Sequence, residues 1–288
     1  MAVISIVTAT LNRTEYLKEA IESALAQTFS DFELLICDDG ARAETKQLCE
    51  SFGDRRLRHI VNDSPLGIAM NTYSGVMNSK TGLIAFLNDD DRWTPDFLLK
   101  CARPLLVDTN TVLAFSDHWV IDSSGIRLLT ESDETTRRYG RNSLQPGYVK
   151  ETLGLLANYS IPLAMASVFR KSAIDWSLFS KRVGGQYDYF LSYSLLRSGG
   201  AIVYVPERLT EYRAHSGSAT AKFHISNLLA GTYVNRVILS DPRFLPIAPI
   251  IRANLVGLER QLAKQYLRNF HLPLAVAHLA RSLQSSFG

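Results

Sequence analysis

Phe86-Leu87-Asn88-Asp89-Asp90-Asp91-Arg92-Trp93 is the stretch that decides how this chain folds. Residues 83–87, Leu-Ile-Ala-Phe-Leu, read as a buried strand, and three carboxylates follow in a row. Adjacent acids repel one another, so a cation belongs beside them, and a hard divalent ion with oxygen ligands is the leading candidate. Acids at the carboxyl end of a strand also sit where open α/β sheets bind their ligands. The plainer alternative is a solvated acidic turn. Thr94-Pro95-Asp96 argues against it. Thr as N-cap and Pro at the first helical position predict a helix at once, which leaves the acids in a very short strand-to-helix turn.

Working outward, strands and helices alternate through the first hundred residues. Residues 3–7 are a β-branched run, residues 32–37 a second strand, Leu57–Val61 a third, and residues 83–87 the fourth. Leu17, Ala20, Ile21, Ala24 and Leu25 recur at helical spacing with Thr14 as N-cap, and Ile68–Asn78 predicts the helix before strand four. This β-α-β-α-β order calls for a parallel sheet with right-handed crossovers. A strand at 111–117 follows, then a loosened stretch, 123–147, that reads as a mobile loop. Tyr187–Arg197 reads as a helix closed by Gly199-Gly200, residues 201–205 as a strand, and the chain from about Phe223 as helices punctuated by Pro242, Pro246, Pro249 and Pro273. No internal repeat appears.

Composition narrows the function. With 288 residues and 46% hydrophobic content, the chain can bury a large core. A net charge of +3 without a long basic tract gives no sign of nucleic acid binding. Cys37, Cys49 and Cys101 lie far apart without metal-ligand spacing, which suits buried thiols in a reducing compartment. The N-terminus lacks a basic n-region and reads as a strand rather than a signal peptide, and no apolar run approaches the roughly 18 residues of a membrane span. These features predict a soluble, cytoplasmic protein, with attachment to the inner face of a membrane left open.

A second acidic turn, Asp38-Asp39-Gly40, ends strand two at the same edge as residues 88–91. In a dinucleotide-binding fold an acid there would hold a ribose, but the first loop would then carry G-x-G-x-x-G. Here it is Thr8-Ala9-Thr10-Leu11-Asn12-Arg13, without a glycine, so the dehydrogenase reading fails on its defining element. A carboxylate at this edge can instead accept the ring N–H of a uracil, thymine or guanine base; a plain turn before a helix remains the alternative.

At this point the residues resemble the GT-A fold nucleotide-sugar glycosyltransferases, specifically the mostly inverting family 2. The resemblance is carried by residues 5–13, by Gln27 through Gly40, by residues 67–71, by Phe86 through Trp93 with Pro95, and by Tyr212-Arg213-Ala214-His215. It spans residues 3 to about 218 in the family's order. It implies an α/β fold in which a Rossmann-like nucleotide-binding half (1–117) and an acceptor-binding half (118–220) share one mixed, mainly parallel sheet. Residues 221–288 would be a helical C-terminal extension. By resemblance, Asp39 with Asp38 beside it meets the base, and Thr8, Ala9, Thr10, Asn12, Arg13 and Asn71 pack around the donor. Asn88 and Asp89 lie near the ribose and sugar. Asp90, with Asp91 as a further candidate, would hold Mg2+ or Mn2+, and His215 would reach the metal or the diphosphate; Arg213, from its place beside His215, can pair with phosphate or with an acid such as Asp90.

The chain departs from the pattern at Ala9, where the family usually has Pro, and at Ala41, where it usually has Ser or Thr. The first acid of the D-x-D-like triplet is Asn88, an amide that hydrogen-bonds without adding charge. The family's Glu-Asp pair before the late helix falls at Tyr187-Asp188, so the Asp survives and the Glu does not. Inverting transfer needs a base for the acceptor hydroxyl, and Asp188 at a helix start would serve, kept ionised by the helix N-terminus; helix capping is its plainer role. Trp93 and Trp119 are candidates to line the sugar cleft, although large aromatics are more often core. Leu255, Leu258, Leu262 and Leu267 form a stripe for packing on the catalytic domain or for a homodimer through the C-terminal helices. Lys222, Arg236, Arg252, Arg260, Lys264 and Arg268 suggest peripheral membrane contact. The expected donor is a UDP- or dTDP-linked hexose-type sugar. The acceptor is a hydroxyl of a glycan, lipid-linked glycan or small molecule, with residues 123–165 forming its site. The resemblance points to bacterial surface polysaccharide or glycoconjugate synthesis. Glycosylation of a small natural product, a non-catalytic nucleotide-sugar-binding protein, and a nucleotidyltransferase are the other readings; Asn12-Arg13-Thr14 is a poor phosphate loop for the last.

Overall fold

In a computed structural model, which describes residues 2–215 and 225–287, the expected alternation appears nearly residue for residue in the first hundred positions. The order runs β1 (Ile4–Thr10), α1 (Thr14–Leu25), β2 (Phe32–Asp38), α2 (Ala43–Ser51), β3 (Leu57–Val61), α3 (Ile68–Asn78) and β4 (Leu83–Phe86). It continues with β5 (Arg92–Trp93), α4 (Phe97–Val107), β6 (Thr111–Ile121), β7 (Arg127–Leu128), α5 (Leu129–Arg138), β8 (Gly147–Tyr148), α6 (Thr152–Ala157) and β9 (Ser167–Arg170). It ends with α7 (Tyr187–Arg197), β10 (Ala201–Arg213), α8 (Ile225–Leu239), α9 (Ala248–Arg268) and α10 (Leu272–Phe287). One sheet runs β3-β2-β1-β4-β9-β6-β10-β5. Its first four strands are mutually parallel, while β9 inserts antiparallel between β4 and β6. Strands β6 and β10 are parallel again. The sheet is therefore mixed and mainly parallel.

Burial explains the register. The strands β1 and β2 are covered on both faces, so their side chains are buried almost without alternation. On one face Leu17, Ala20, Ile21 and Ala24 of α1 pack with Ile4, Ile6, Leu34 and Ile36; on the other, α3 presses against Val7 and Cys37. That second contact is close: a Cβ on Gly75 would lie 2.4 Å from Val7 Cγ1 and 2.7 Å from Cys37 Sγ. Phe86, Phe169 and Tyr187 meet edge-on where β4, β9 and α7 join.

Several expectations need correction. The acids do not enter a helix at once: Arg92–Trp93 pairs antiparallel with β10, and α4 starts only at Phe97, with Asp96 rather than Thr94 preceding it. Thr14 is the first residue of α1, and Arg13 precedes it with no side-chain cap. Residues 123–147 hold β7 and α5 rather than only a loop, because Ser132 ties α5 to the sheet by accepting the Val120 N–H. Strand β10 runs through Arg213, well past residue 205, because a register shift around Pro206 lets it pair on along β6. The proposed division at residue 117 falls inside β6. The boundary at 220/221, Lys222 and the helix start at Phe223 lie outside the described residues.

Candidate functional site

The carboxyl ends of β1 and β4 bring Thr10 and Asp89 together, 79 positions apart in sequence, through a 2.8 Å hydrogen bond from the Thr10 hydroxyl. Arg13, at the start of α1, reaches back over the same edge: its Nη1 lies 2.8 Å from Asp90 Oδ2 and 3.3 Å from Asp89 Oδ1. His215 Nε2 stands 3.1 Å from the same Asp90 oxygen. One carboxylate thus faces an arginine and the imidazole that sequence alone pairs with it.

Charge at this edge is out of balance. Burial, and then the charge of Asp90, pushes the Asp89 carboxyl up to about 6, and the same causes raise Asp91 well above the ordinary range. Asp91 is fully buried and accepts the Arg213 backbone N–H and the Asn88 amide, so it supports Asp90 from behind instead of facing a ligand. Asn88 therefore keeps its neighbour's carboxylate hydrogen-bonded, a job an Asp at that position would oppose.

Arg213 departs from expectation. Its guanidinium is buried, donates to the Asp90 backbone oxygen at 2.8 Å and to Glu19 at 2.7 Å, and lies 4.6 Å over the Tyr16 ring. It positions the acidic turn from inside the protein. The cation on the Asp90 side chain is Arg13.

A cleft of about 500 Å³ runs from this edge into the second half of the sheet. Ala9, Arg13, Asn88, Asp89 and Asp90 line one end, and Asp188 lines it with Tyr187 and Tyr189. Asp188 sits in the first turn of α7 and accepts the Tyr189 N–H at 2.8 Å. Burial pushes its carboxyl up, outweighing that hydrogen bond. The helix start does not hold it at an ordinary acidity, and a raised carboxylate is the more basic one.

Other expected residues are placed behind the cleft or at its rim. Thr8 is fully buried with its hydroxyl unpartnered. Asp38 holds the following turn through the Gly40 and Ala41 N–H groups and contacts His59. Asp39 accepts from the Leu66 and Gly67 backbone and from Asn62, while Asn71 bonds Asn62 and the Cys37 carbonyl. Together they shape the loop between β3 and α3. Asn12 is exposed, with a left-handed φ of 60°. Trp93 is core, bonding the Met165 carbonyl, and Trp119 stacks under Arg127 and Arg208, so neither lines the cleft.

Sequence reasoning placed the acceptor region at 123–165 but named none of its side chains. In the structure, His118, Tyr139, Arg141, Tyr159 and Tyr189 line that end. Arg141 is buried, with Nε 2.7 Å from Asp117, and its Nη2 approaches His118 Nδ1 at 3.4 Å. Burial and the Arg141 charge hold His118 down to about 3, a neutral imidazole. Tyr159 stacks on Tyr189 at 4.3 Å while adopting φ 53°, a conformation that favours glycine. These pairs form across tens of residues, so no local pattern announces them.

The residues present suit a divalent cation. A raised, crowded carboxylate cluster with one exposed-edge oxygen shared by a guanidinium and an imidazole is a hard, anionic donor set. Among the described residues no three His, Cys, Asp or Glu side chains cluster to hold a metal. Asp90 Oδ2 and His215 Nε2, 3.1 Å apart, are the pair at this edge that could take part in holding one.

Comparison with known proteins gives the family and the fold. The model of the family described as glycosyl transferase family 2 matches residues 5–174. An uncharacterized glycosyltransferase of Rickettsia typhi is 25% identical over 218 residues, 75% of this chain and 65% of that protein, so the match spans just under two thirds of the relative's own length. The UDP-Glc:alpha-D-GlcNAc-diphosphoundecaprenol beta-1,3-glucosyltransferase WfgD of Escherichia coli is 26% identical over 123 residues, 43% of this chain and 48% of that protein. Among solved structures, S. aureus TarS 1–349 in complex with UDP-GlcNAc superposes with a TM-score of 0.68 at 12% identity, over 98% of this chain and 92% of that one. At that identity the likeness establishes the fold, which is GT-A.

Proposed function

Because the chain belongs to glycosyl transferase family 2, we propose that it transfers a hexose-type sugar, with inversion, from a UDP- or dTDP-linked donor to a hydroxyl acceptor. The observation that carries this reading is the single cleft that holds the acidic edge at one end and Asp188 beyond it. Asp188 takes the proton of the acceptor hydroxyl as that oxygen bonds the sugar's anomeric carbon and the bond to the diphosphate breaks. Its raised basicity suits the task.

Asp90 and His215 would hold Mg2+ or Mn2+, which when bound supplies positive charge to the departing diphosphate. Arg13 lies against the same oxygens and gives the phosphates a cationic donor of hydrogen bonds. Thr10 holds Asp89 by a hydrogen bond; in this reading Asp89 meets the ribose and sugar, and Asp39 meets the base. Residues 1–117 serve the donor, residues 118–220 the acceptor and base, and 221–288 form the extension. The E. coli relative acts on a lipid-linked sugar by its name, which favours a bacterial glycan acceptor of that kind.

The test is a panel of nucleotide sugars incubated with the chain and Mg2+ or Mn2+, read as nucleoside diphosphate release. Turnover with one uridine or thymidine sugar, abolished by EDTA, is the expected result. Tight donor binding without release from any member, with acceptors of several classes present, would make this a nucleotide-sugar-binding protein instead.

A further inference from the structure

The C-terminal helix carries more apolar surface than its neighbour covers. Helix α10 packs on α9, and Ala275, His278 and Ser282, at i, i+3 and i+7, are its buried side. Leu272, Val276, Leu279 and Leu283 recur at i, i+4, i+7 and i+11, a second helical face beside the first. All four are exposed, Leu272 by 61% and Leu283 by 57%. At the turn between the two helices Phe270 stands 95% exposed at φ 60°, flanked by exposed Leu267 and Leu274. Scattered surface leucines are ordinary, but an aligned stripe that ends in a bare Phe marks a contact surface.

Charge says what the contact is. After Asp241 the chain contains Arg243, Arg252, Arg260, Lys264, Arg268 and Arg281, and Glu259 as the one acid. Glu259 is buried and bound by Arg236 and His278. The stripe thus belongs to a segment whose exposed charged side chains, Arg243, Arg260, Lys264, Arg268 and Arg281, are all basic.

We propose that this surface docks on an anionic phospholipid bilayer. Helix α10 lies in the interface with Phe270 and the leucine stripe at the acyl boundary, and exposed Arg and Lys side chains of this segment meet the headgroup phosphates. No helix among the described residues is long and apolar enough to cross a membrane, and the proposed contact of α10 is an interfacial one. An isologous dimer through the same face would set cations against cations, with no exposed acid of this segment to pair them. The inference rests on the C-terminal surface and not on the proposed transfer reaction.

Sedimentation of the whole chain with vesicles tests it. Binding is expected with phosphatidylcholine–phosphatidylglycerol vesicles, weakened at high salt, and absent with phosphatidylcholine alone. The double variant Phe270→Asp/Leu279→Glu should lose at least about tenfold in partitioning, since each replaced side chain exchanges apolar surface at the acyl boundary for a charge. Its melting temperature and nucleoside diphosphate affinity should match wild type, because both positions are exposed. Lys264→Glu/Arg268→Glu should lower the salt-sensitive part of binding. Failure to bind anionic vesicles, or a dimer in light scattering that Leu279→Glu dissolves, overturns the proposal. Either result leaves donor turnover to be judged on its own assay.

Discussion

Replacing Asp188 by Asn isolates the proton transfer from everything else the cleft does. The amide keeps the shape, and its Oδ1 can still accept the Tyr189 N–H that Asp188 accepts at 2.8 Å. What it cannot do is take a proton. General-base contributions are typically about 10²–10⁴-fold, or about 2.7–5.5 kcal/mol at about 1.36 kcal/mol per decade. Folding should not suffer: burial already disfavours the charged carboxylate, so a neutral amide relieves that cost and the melting temperature should hold or rise. Donor affinity should hold too, since the Asp90 carboxylate is engaged by Arg13 and His215 and not by Asp188. The pH profile adds a second readout. A carboxyl raised above its ordinary range loses its base form as pH falls through that raised value, so wild-type kcat/KM should decline on the acid side earlier than an ordinary Asp would dictate. The Asn variant should lack that limb. The assay is nucleoside diphosphate release with the true acceptor, alongside titration calorimetry of the donor. Equal rates in wild type and Asp188→Asn refute the base, and parallel losses of rate and donor affinity make Asp188 structural.

The remaining expectations concern the donor end. Asp90→Ala should bring nucleoside diphosphate affinity in Mg2+ or Mn2+ down to the wild-type value in EDTA; wild-type binding that is equally tight with and without EDTA removes the metal from the account. Asp39→Ala should weaken uridine nucleotides by about 1–3 kcal/mol, the scale of a lost charge-assisted hydrogen bond, and an equal loss for an adenosine nucleotide would mean that only the loop it ties at Leu66 and Gly67 has loosened. Arg213→Leu leaves the Asp90 carbonyl and the Glu19 carboxylate without their donor. It should lower stability by about 1–3 kcal/mol in a denaturant titration, whereas unchanged stability with lost donor affinity would return Arg213 to the diphosphate.

What the sequence made legible follows the range of the interactions. The strand at 83–87, the helix Ile68–Asn78 and the helix Tyr187–Arg197 were readable because burial imposes local periodicity. Strand β9 was not, since four residues wedged antiparallel between β4 and β6 carry no period of their own. The acids at 88–91 announced a site by their adjacency, yet their division of labour did not show. Asp91 faces inward because β10 passes behind it and donates the Arg213 N–H, a contact across 122 positions. Arg141 and Asp117 form their buried pair across 24 positions, so in the second half of the cleft the sequence named Asp188 but not the residues packed around it.

Arg13 and Arg213, both expected at the donor end, take opposite roles. Both approach Asp90, one at its side chain and one at its backbone. Arg213 is fully buried, so its contacts are desolvated and fix the turn's shape whether or not a ligand is near. Arg13 is partly exposed, its contact with Asp90 is screened, and exchanging that partner costs little. An incoming cation and diphosphate would compete for the oxygen Arg13 holds, while Asp89, raised to about 6 by burial and by Asp90, gains from every added positive charge. Donor, cation and Arg13 should therefore bind as one coupled set: Arg13→Ala should weaken nucleoside diphosphate binding more when the metal is present than when it is chelated, by roughly the 1.5–3 kcal/mol of a hydrogen bond to a charged group. If the loss is the same with and without metal, Arg13 acts on the phosphates alone and the coupling through Asp90 is absent.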